Sequence, residues 1–229
     1  MNDNNKYFFD YFEERLKFIQ ERCLERIEGL VLMCCCIDAF AGYAYNHPRG
    51  EKFPYFKKFI LGYSGEKKTW TKISLPLLKE YFKKCNMTKY AEFITKLGVN
   101  EKSYFVKDYN TDINIEEIER QAVGHIITPF SDNLKNDILN FEYVKILWSK
   151  YRNYAIHEMR SNPDNASNIF GQTESVYYNH QTLIREHDFK QIGEKINIGF
   201  PQSFIFKTVQ QCFLNFKKQV DRENISIEY

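Results

Sequence analysis

Residues 5 to 44 run without a proline, and their apolar side chains recur at every third or fourth position. An α-helix turns once in about 3.6 residues, so this spacing places the apolar side chains on one face. The segment predicts a long amphipathic helix, with Gly29 marking a bend or a break. Its second half, "LVLMCCCIDAFA", is apolar nearly all round, which predicts a helix in the middle of the core.

Two further segments predict the remaining core helices. Residues 131 to 160 keep the helical spacing and can be capped by Ser131 or Asp132. Residues 201 to 222 begin at Pro201, which is favourable in a first helical turn. Residues 173 to 200 alternate β-branched and aromatic side chains, which predicts a small β-hairpin. Residues 45 to 125 predict several short helices in an insertion.

Composition places these elements in one mainly helical (all-α class) domain over residues 1–229. The chain has 229 residues, of which 43% are apolar and 17% aromatic, so it has ample material for a core. Its net charge of +2 excludes nucleic-acid binding through the overall charge of the protein. Only local basic patches could bind nucleic acid.

Cysteine usage and the N-terminus predict a cytoplasmic protein. The six cysteines form no C-x-x-C pair and no zinc spacing, which is typical of reduced thiols and predicts neither a metal nor a cofactor. The N-terminus is polar and acidic, unlike a secretory signal. The apolar run 30–41 is too short to span a membrane and contains Asp38, so no membrane association is expected.

The stretch "YRNYAIHEMR", residues 151 to 160, carries the most suggestive chemistry. Arg152 is a permanent cation suited to phosphate, and His157 can transfer protons near neutral pH. Together they suit metal-free RNA cleavage, in which the 2′-hydroxyl attacks its own phosphate. On a straight helix, however, residues five apart point about 140° apart. A long side chain, a helix irregularity or a second subunit would be needed to join them, whereas Asn153 and His157 share a face.

An electrostatic role at a helix end explains the same residues without catalysis. Basic side chains in a last helical turn complement the helix dipole. If the carboxylate of Asp38 pairs with Arg152, then Arg152 is mainly structural. Three residues are candidates for supporting the site, namely Asp38, Glu142 and Ser149.

The sequence "LWSKYRNYAIHE" resembles the signature helix of the HEPN superfamily (higher eukaryotes and prokaryotes nucleotide-binding). That resemblance implies a dimeric helical bundle in which Arg152 and His157 line an RNA-cleaving cleft and Asn153 orients them. The opening helix "IEGLVLMCCCIDAFAG" is also similar to that of uncharacterised bacterial proteins. Some toxin members carry Tyr two residues after the His as a site of nucleotide modification, and this chain has Met159 there.

A local basic and aromatic segment is the candidate for RNA binding. Residues 49 to 72 carry a local charge of +5 by the count of Lys and Arg against Asp and Glu, with aromatic rings between the charges. Cations bind phosphates and exposed rings stack on bases, although buried rings beside solvated lysines would give the same pattern. The candidate contacts are Tyr63, Lys67, Lys68 and Trp70, together with Arg160.

The leading hypothesis is therefore a HEPN-like, metal-independent endoribonuclease that uses the Arg-x4-His motif at a homodimer cleft. Toxin–antitoxin or antiviral systems, with an antitoxin protein as a possible partner, are the expected settings. The alternative is a non-catalytic helical module of the same fold that binds nucleotide, RNA or a protein partner.

Overall fold

The computed structural model describes residues 3–45, 52–99, 105–107, 111–125, 130–158, 166–167, 175–185, 187 and 190–227. The fold is mainly helical with a small β-hairpin before the last helix, as predicted. The helices are α1 (Asp3–Phe18), α2 (Ile27–Tyr45), α3 (Lys52–Tyr63), α4 (Lys67–Trp70), α5 (Leu75–Lys84), α6 (Thr88–Lys96), α7 (Ile115–Ala122), α8 (Asp132–Leu139), α9 (Tyr143–Ile146), α10 (Asn153–Glu158) and α11 (Gln202–Glu223). Two π-helical turns, π1 (Ile19–Cys23) and π2 (Leu147–Arg152), join α1 to the break before α2 and α9 to α10.

The predicted first helix is divided in two. π1 continues α1, and the chain breaks between Cys23 and Ile27 before α2 begins. Gly29 lies close to this break, because a Cβ at that position would be 2.0 Å from the carbonyl oxygen of Cys23. The prediction that Gly29 marks a break is confirmed, since the close approach of the two backbones requires a residue without a side chain.

The prediction of one continuous helix over 131–160 is wrong. Ser131 caps α8 as expected, its Oγ accepting from the Leu134 N–H at 3.3 Å, but α8 ends at Leu139. The backbone then pairs with residues far away in sequence, since the Ser74 N–H donates to the Phe141 carbonyl at 2.9 Å. The Tyr143 N–H donates to the Lys72 carbonyl at 2.9 Å. These tertiary hydrogen bonds replace helical ones, and the helix starts again at Tyr143.

The hairpin is the centre of a small sheet. Its strands β3 (Tyr177–Ile184) and β4 (Gln191–Gly199) are antiparallel, with Tyr178 opposite Ile198. Two short strands flank them, β1 (Phe105–Lys107) beside β3 and β2 (Ala166–Ser167) beside β4, which gives the order β1-β3-β4-β2. β1 lies within residues 45–125, where only short helices were predicted. Gly199 is required in β4, because a Cβ there would be 1.9 Å from the Tyr177 ring.

The chain divides into two compact units. The first comprises Met1–Trp70, Arg152–Arg160 and Gln202–Tyr229, and the second comprises Thr71–Tyr151 and Ser161–Pro201. A single domain over 1–229 therefore stays a prediction. The first unit has an aromatic core of rings from α1, α2, α3 and α11, each with its centroid within 6.0 Å of at least one other: Phe8, Phe9, Phe40, Phe59, Phe213 and Phe216.

Helix α2 is long and apolar enough, by length and composition, to cross a membrane. Core helices of soluble proteins meet the same criteria. Leu30, Met33 and Ile37 of α2 are fully buried, and the helix carries Asp38 in an ion pair. The helix is thus compatible with a soluble protein.

The second unit contains a buried carboxylate, Asp112, that holds three elements together. Its Oδ1 accepts from the Leu75 N–H at the start of α5 at 3.0 Å. Its Oδ2 accepts from the hydroxyls of Tyr143, at 2.5 Å, and of Tyr178. Burial raises the pKa of Asp112 to about 6, against these three hydrogen bonds, which lower it. The ionised form of Asp112 is therefore disfavoured by its surroundings.

We expect Asp112→Asn to remove the contribution of Asp112 to the pH dependence of the free energy of unfolding. An acid whose pKa rises on folding binds more protons in the folded state. Its contribution to the free energy of unfolding is therefore fully present below the unfolded pKa of 3.8 and is lost as the pH rises through about 6. The substituted amide mimics the protonated acid, so the unfolding free energy of the variant relative to wild type should increase by about 2 kcal/mol between pH 4 and pH 7. Urea denaturation measures this difference.

The control is Asp221→Asn, which changes an exposed carboxylate on α11. Its stability relative to wild type should stay nearly constant over the same pH range. A relative stability of Asp112→Asn that is equally independent of pH would contradict the raised pKa of Asp112.

Candidate functional site

Arg152 is the last residue of π2 and is buried in the first unit. Its side chain is 8% exposed and pairs with Asp38 of α2, whose side chain is 20% exposed. Nε and Nη2 both donate to the Asp38 Oδ2, at 3.0 and 2.5 Å. The possible pairing of Asp38 with Arg152 is thus present, and Asp38 lies directly beside the motif.

The third nitrogen of the guanidinium connects this ion pair to the motif helix. Arg152 Nη1 donates to the Asn153 Oδ1 at 3.1 Å. Because its oxygen is held by Arg152, the Nδ2 of Asn153 is directed elsewhere. Asn153 is half-buried. Arg152 and Asn153 are thus joined by a side-chain hydrogen bond, and the roles expected for the two residues stay predictions.

His157 lies exposed on α10, one helical turn beyond Asn153. Residues four apart on a helix share a face, with Cβ atoms about 5–6 Å apart. The backbone from Asn153 to Glu158 is α-helical, whereas Arg152 ends π2 and its guanidinium contacts Asp38 of α2. Within one chain the structure therefore groups Asn153 with His157 and directs Arg152 toward α2.

The thiols of Cys34 and Cys35, close to Asp38 in α2, are not activated for catalysis. Cys34 is buried, and burial raises the pKa of its thiol, so it stays protonated. Cys35 is exposed, but partial burial raises its pKa as well, with the charge of Asp38 adding to the effect. Neither thiol has the lowered pKa of a catalytic nucleophile.

The other two supporting candidates belong to the second unit. Glu142 is buried at the N-terminal end of α9, and its carbonyl accepts from the Ile146 N–H at 2.8 Å. Ser149 is half-buried in π2. Their assignment to the site stays a prediction. Met159 and Arg160 lie outside the described residues.

The four candidate RNA-binding residues between positions 63 and 70 differ in exposure. Trp70 is 0% exposed and packs on Phe204 with ring centroids 5.2 Å apart, so the expectation that it is an exposed stacking ring is wrong. Tyr63 is half-buried, its ring 4.6 Å from that of Phe59. Both aromatic rings extend the core, whereas Lys67 and Lys68 on α4 are exposed as expected.

No group of three or more His, Cys, Asp or Glu side chains is placed to hold a metal ion in the part of the chain that the structure describes. Comparison of the chain with family models, with curated proteins and with solved structures gives no match. The geometry of α2 and α10 is therefore the basis for a functional proposal.

We expect Asp38→Ala to destabilise the protein by about 3 kcal/mol, because it leaves a buried guanidinium without its carboxylate. The partial exposure of Asp38 places this loss at the lower end of values for buried pairs. The double variant Asp38→Leu/Arg152→Met should recover much of the loss, since it removes both charges. Chemical denaturation of wild type, Asp38→Leu, Arg152→Met and the double variant measures the coupling between the two side chains.

Glu28→Ala, which removes an exposed carboxylate from the same helix, is the matched control and should change stability by less than about 1 kcal/mol. Equal stability of Asp38→Ala and wild type would contradict a structural ion pair.

Proposed function

We propose that the chain is a HEPN-like, metal-independent endoribonuclease in which His157 transfers protons and Asn153 binds the phosphate. Arg152 holds Asn153 in place. The observation that carries the proposal is the series of contacts from Asp38 through Arg152 to Asn153, one helical turn from the exposed His157. Such fixed donors beside a proton-transfer group suit the charge that develops on a phosphate.

Asn153 is the group best placed to meet a substrate. Its oxygen is bound by Arg152, so its Nδ2 donors can hydrogen-bond a phosphate oxygen. The permanent charge of Arg152, directly behind that amide, adds a favourable field, although Asp38 offsets part of it. The π2 turn that ends at Arg152 is also a rare element, and such turns occur often at functional sites.

The proposed reaction starts with neutral His157, which takes the proton of the 2′-hydroxyl. The 2′-oxygen then forms a bond to phosphorus, and the bond from phosphorus to the 5′-oxygen breaks. The departing 5′-oxygen takes a proton from an imidazolium, which leaves a 2′,3′-cyclic phosphate and a free 5′-hydroxyl. Proton transfer of this kind contributes about 10²–10⁴-fold to a rate.

The reaction needs a base and an acid on opposite sides of the phosphorus, and a homodimer supplies both. A twofold axis near α10 would place the His157 of a second copy across the cleft. The proposed partners are thus RNA and a second copy of the chain. An RNA-cleaving activity also fits a cytoplasmic location and either control by an antitoxin protein or a role in antiviral defence.

The burial of Arg152 favours a second function, that of a non-catalytic module of the same fold. A guanidinium that is 8% exposed and bound to a carboxylate has little capacity left to neutralise a phosphate. In this function the motif holds α10 against α2, and the protein binds nucleotide, RNA or a protein partner without cleaving it.

RNA cleavage by the purified protein in the presence of EDTA separates the two functions. We expect His157→Ala to lower the cleavage rate by about 10²–10⁴-fold. Asn153→Ala should lower it by about 10²–10³-fold, the loss typical of one hydrogen-bond donor to a developing charge. Product analysis should find 2′,3′-cyclic phosphate ends.

His125→Ala is the matched control, because it removes an exposed histidine from the second unit. It should cleave at the wild-type rate, and circular dichroism should show that all three variants are folded. Wild-type protein that binds RNA without cleaving it would favour the module. Cleavage that persists in His157→Ala would contradict the site.

A further inference from the structure

The first unit contains a cavity between its first helix and its last. Helices α1 and α11 run antiparallel, since Asn5 at the start of α1 donates to the carbonyl of Ile225, just after α11, at 2.6 Å. Further along, the Glu13 carboxylate of α1 lies 3.5 Å from the Lys217 Nζ of α11. Close to this ion pair the two helices border a cavity of about 300 Å³. This volume is at the lower end of the range for small-molecule sites.

The floor of the cavity is apolar. Leu16 of α1 lines it together with Phe206 and Phe213 of α11, and each of these side chains is at most 5% exposed. Leu214 of α11 lines it as well and is 42% exposed. Contact between these side chains and an apolar ligand is favourable, because it removes apolar surface from water.

The rim of the cavity is polar. Helix α1 contributes Glu13, Glu14 and Lys17, while Gln20 of π1 and Gln210 of α11 contribute two amides. All five residues are exposed. An apolar interior with a few polar groups is typical of sites for small organic molecules, in which the polar groups fix the orientation of the ligand.

Two of the three charges at the rim are already in ion pairs. The Glu13 carboxylate pairs with Lys217, and the Lys17 Nζ lies 4.0 Å from the Glu21 carboxylate. Glu14 has no ion-pair partner among the residues that the structure describes. Its carboxylate is therefore the rim charge that a ligand can neutralise, which favours a cation.

The charged side chains beyond the rim direct such a cation toward α1. Asp10 is exposed on α1, one helical turn before Glu14, and adds a second carboxylate on that side. The Arg15 guanidinium lies over an aromatic ring of α1, 4.8 Å from its centroid, and Arg15 does not line the cavity. Lys207 and Lys218 are exposed on α11, so the α11 side is the more positive one.

We propose that this cavity binds a small organic ammonium compound whose apolar body is about one aromatic ring in size. The ring packs on Leu16, Phe213 and Leu214, and the ammonium group pairs with the carboxylate of Glu14. The amide of Gln210 can hydrogen-bond a polar substituent of the ligand. The lining residues belong to α1, π1 and α11, so this site is distinct from the proposed ribonuclease site on α10.

Titration of the full chain with phenethylamine, followed by NMR of the protein, tests the site. We expect saturable binding at millimolar concentrations. Phenethyl alcohol should bind about two- to fivefold more weakly, because an exposed ion pair adds only modestly to affinity. Phenylpropionate, which has a similar shape and the opposite charge, should bind most weakly of the three. Leu214→Ala should weaken the binding of phenethylamine by about threefold or more, since it removes apolar contact.

Glu14→Gln separates the role of the charge from that of the apolar floor. This variant should bind phenethylamine no more tightly than phenethyl alcohol, while its affinity for the alcohol stays at the wild-type value. Leu183→Ala is the matched control for Leu214→Ala, because it shortens a leucine of similar exposure, 41%, on the hairpin of the second unit. It should bind phenethylamine as wild type does.

Three results would overturn the proposal. They are wild-type protein without saturable binding of phenethylamine, tighter binding of phenylpropionate than of the amine, and unchanged binding by Leu214→Ala. None of these measurements involves RNA, so the outcome is independent of the proposed ribonuclease activity.

Discussion

The ion pair between Asp38 and Arg152 is the constraint on which the first unit depends. It joins a helix near the N-terminus to the short motif helix more than a hundred residues later. Asp38 lies in the apolar part of α2, so its carboxylate would be costly to bury without a cation. The same guanidinium also contacts the motif, because its Nε and Nη2 donate to Asp38 while its Nη1 donates to Asn153. One guanidinium thus joins α2 to Asn153 of the motif.

The second unit also contains a buried carboxylate, but its hydrogen-bond partners are uncharged. Asp112 has no cation within hydrogen-bond distance among its described partners and instead accepts from two tyrosine hydroxyls and a backbone N–H. These donors come from α9, β3 and the start of α5. The Ser74 Oγ and Tyr178 Oη, 2.8 Å apart, share a further hydrogen bond. One carboxyl group therefore gives a mainly aromatic interior its specific arrangement of helices and strand.

Elements set by local pattern were predictable, and elements set by distant partners were not. Helix α11 follows Pro201 and keeps its apolar spacing, and the hairpin alternates along both strands, so each matched its prediction closely. The break after Leu139 had no local signal, because the apolar spacing continues from Ile138 through Phe141 to Val144 while the backbone of Phe141 bonds to Ser74. Trp70 was a candidate stacking ring because aromatic rings interleave the charges of residues 49–72, but its ring packs on Phe204 from another part of the chain.

The contacts of the motif residues were also only partly predictable from sequence. Sequence placed Arg152, Asn153 and His157 in one motif and predicted the pairing with Asp38 as one possibility. The assignment of a direct phosphate contact to the guanidinium stays a prediction. That assignment depends on which edge of the guanidinium faces α2, a tertiary property. A lysine in place of Arg152 could neutralise Asp38, but its single ammonium lacks the planar fork that joins Asp38 and Asn153 at once. The need for arginine here follows from geometry as much as from charge.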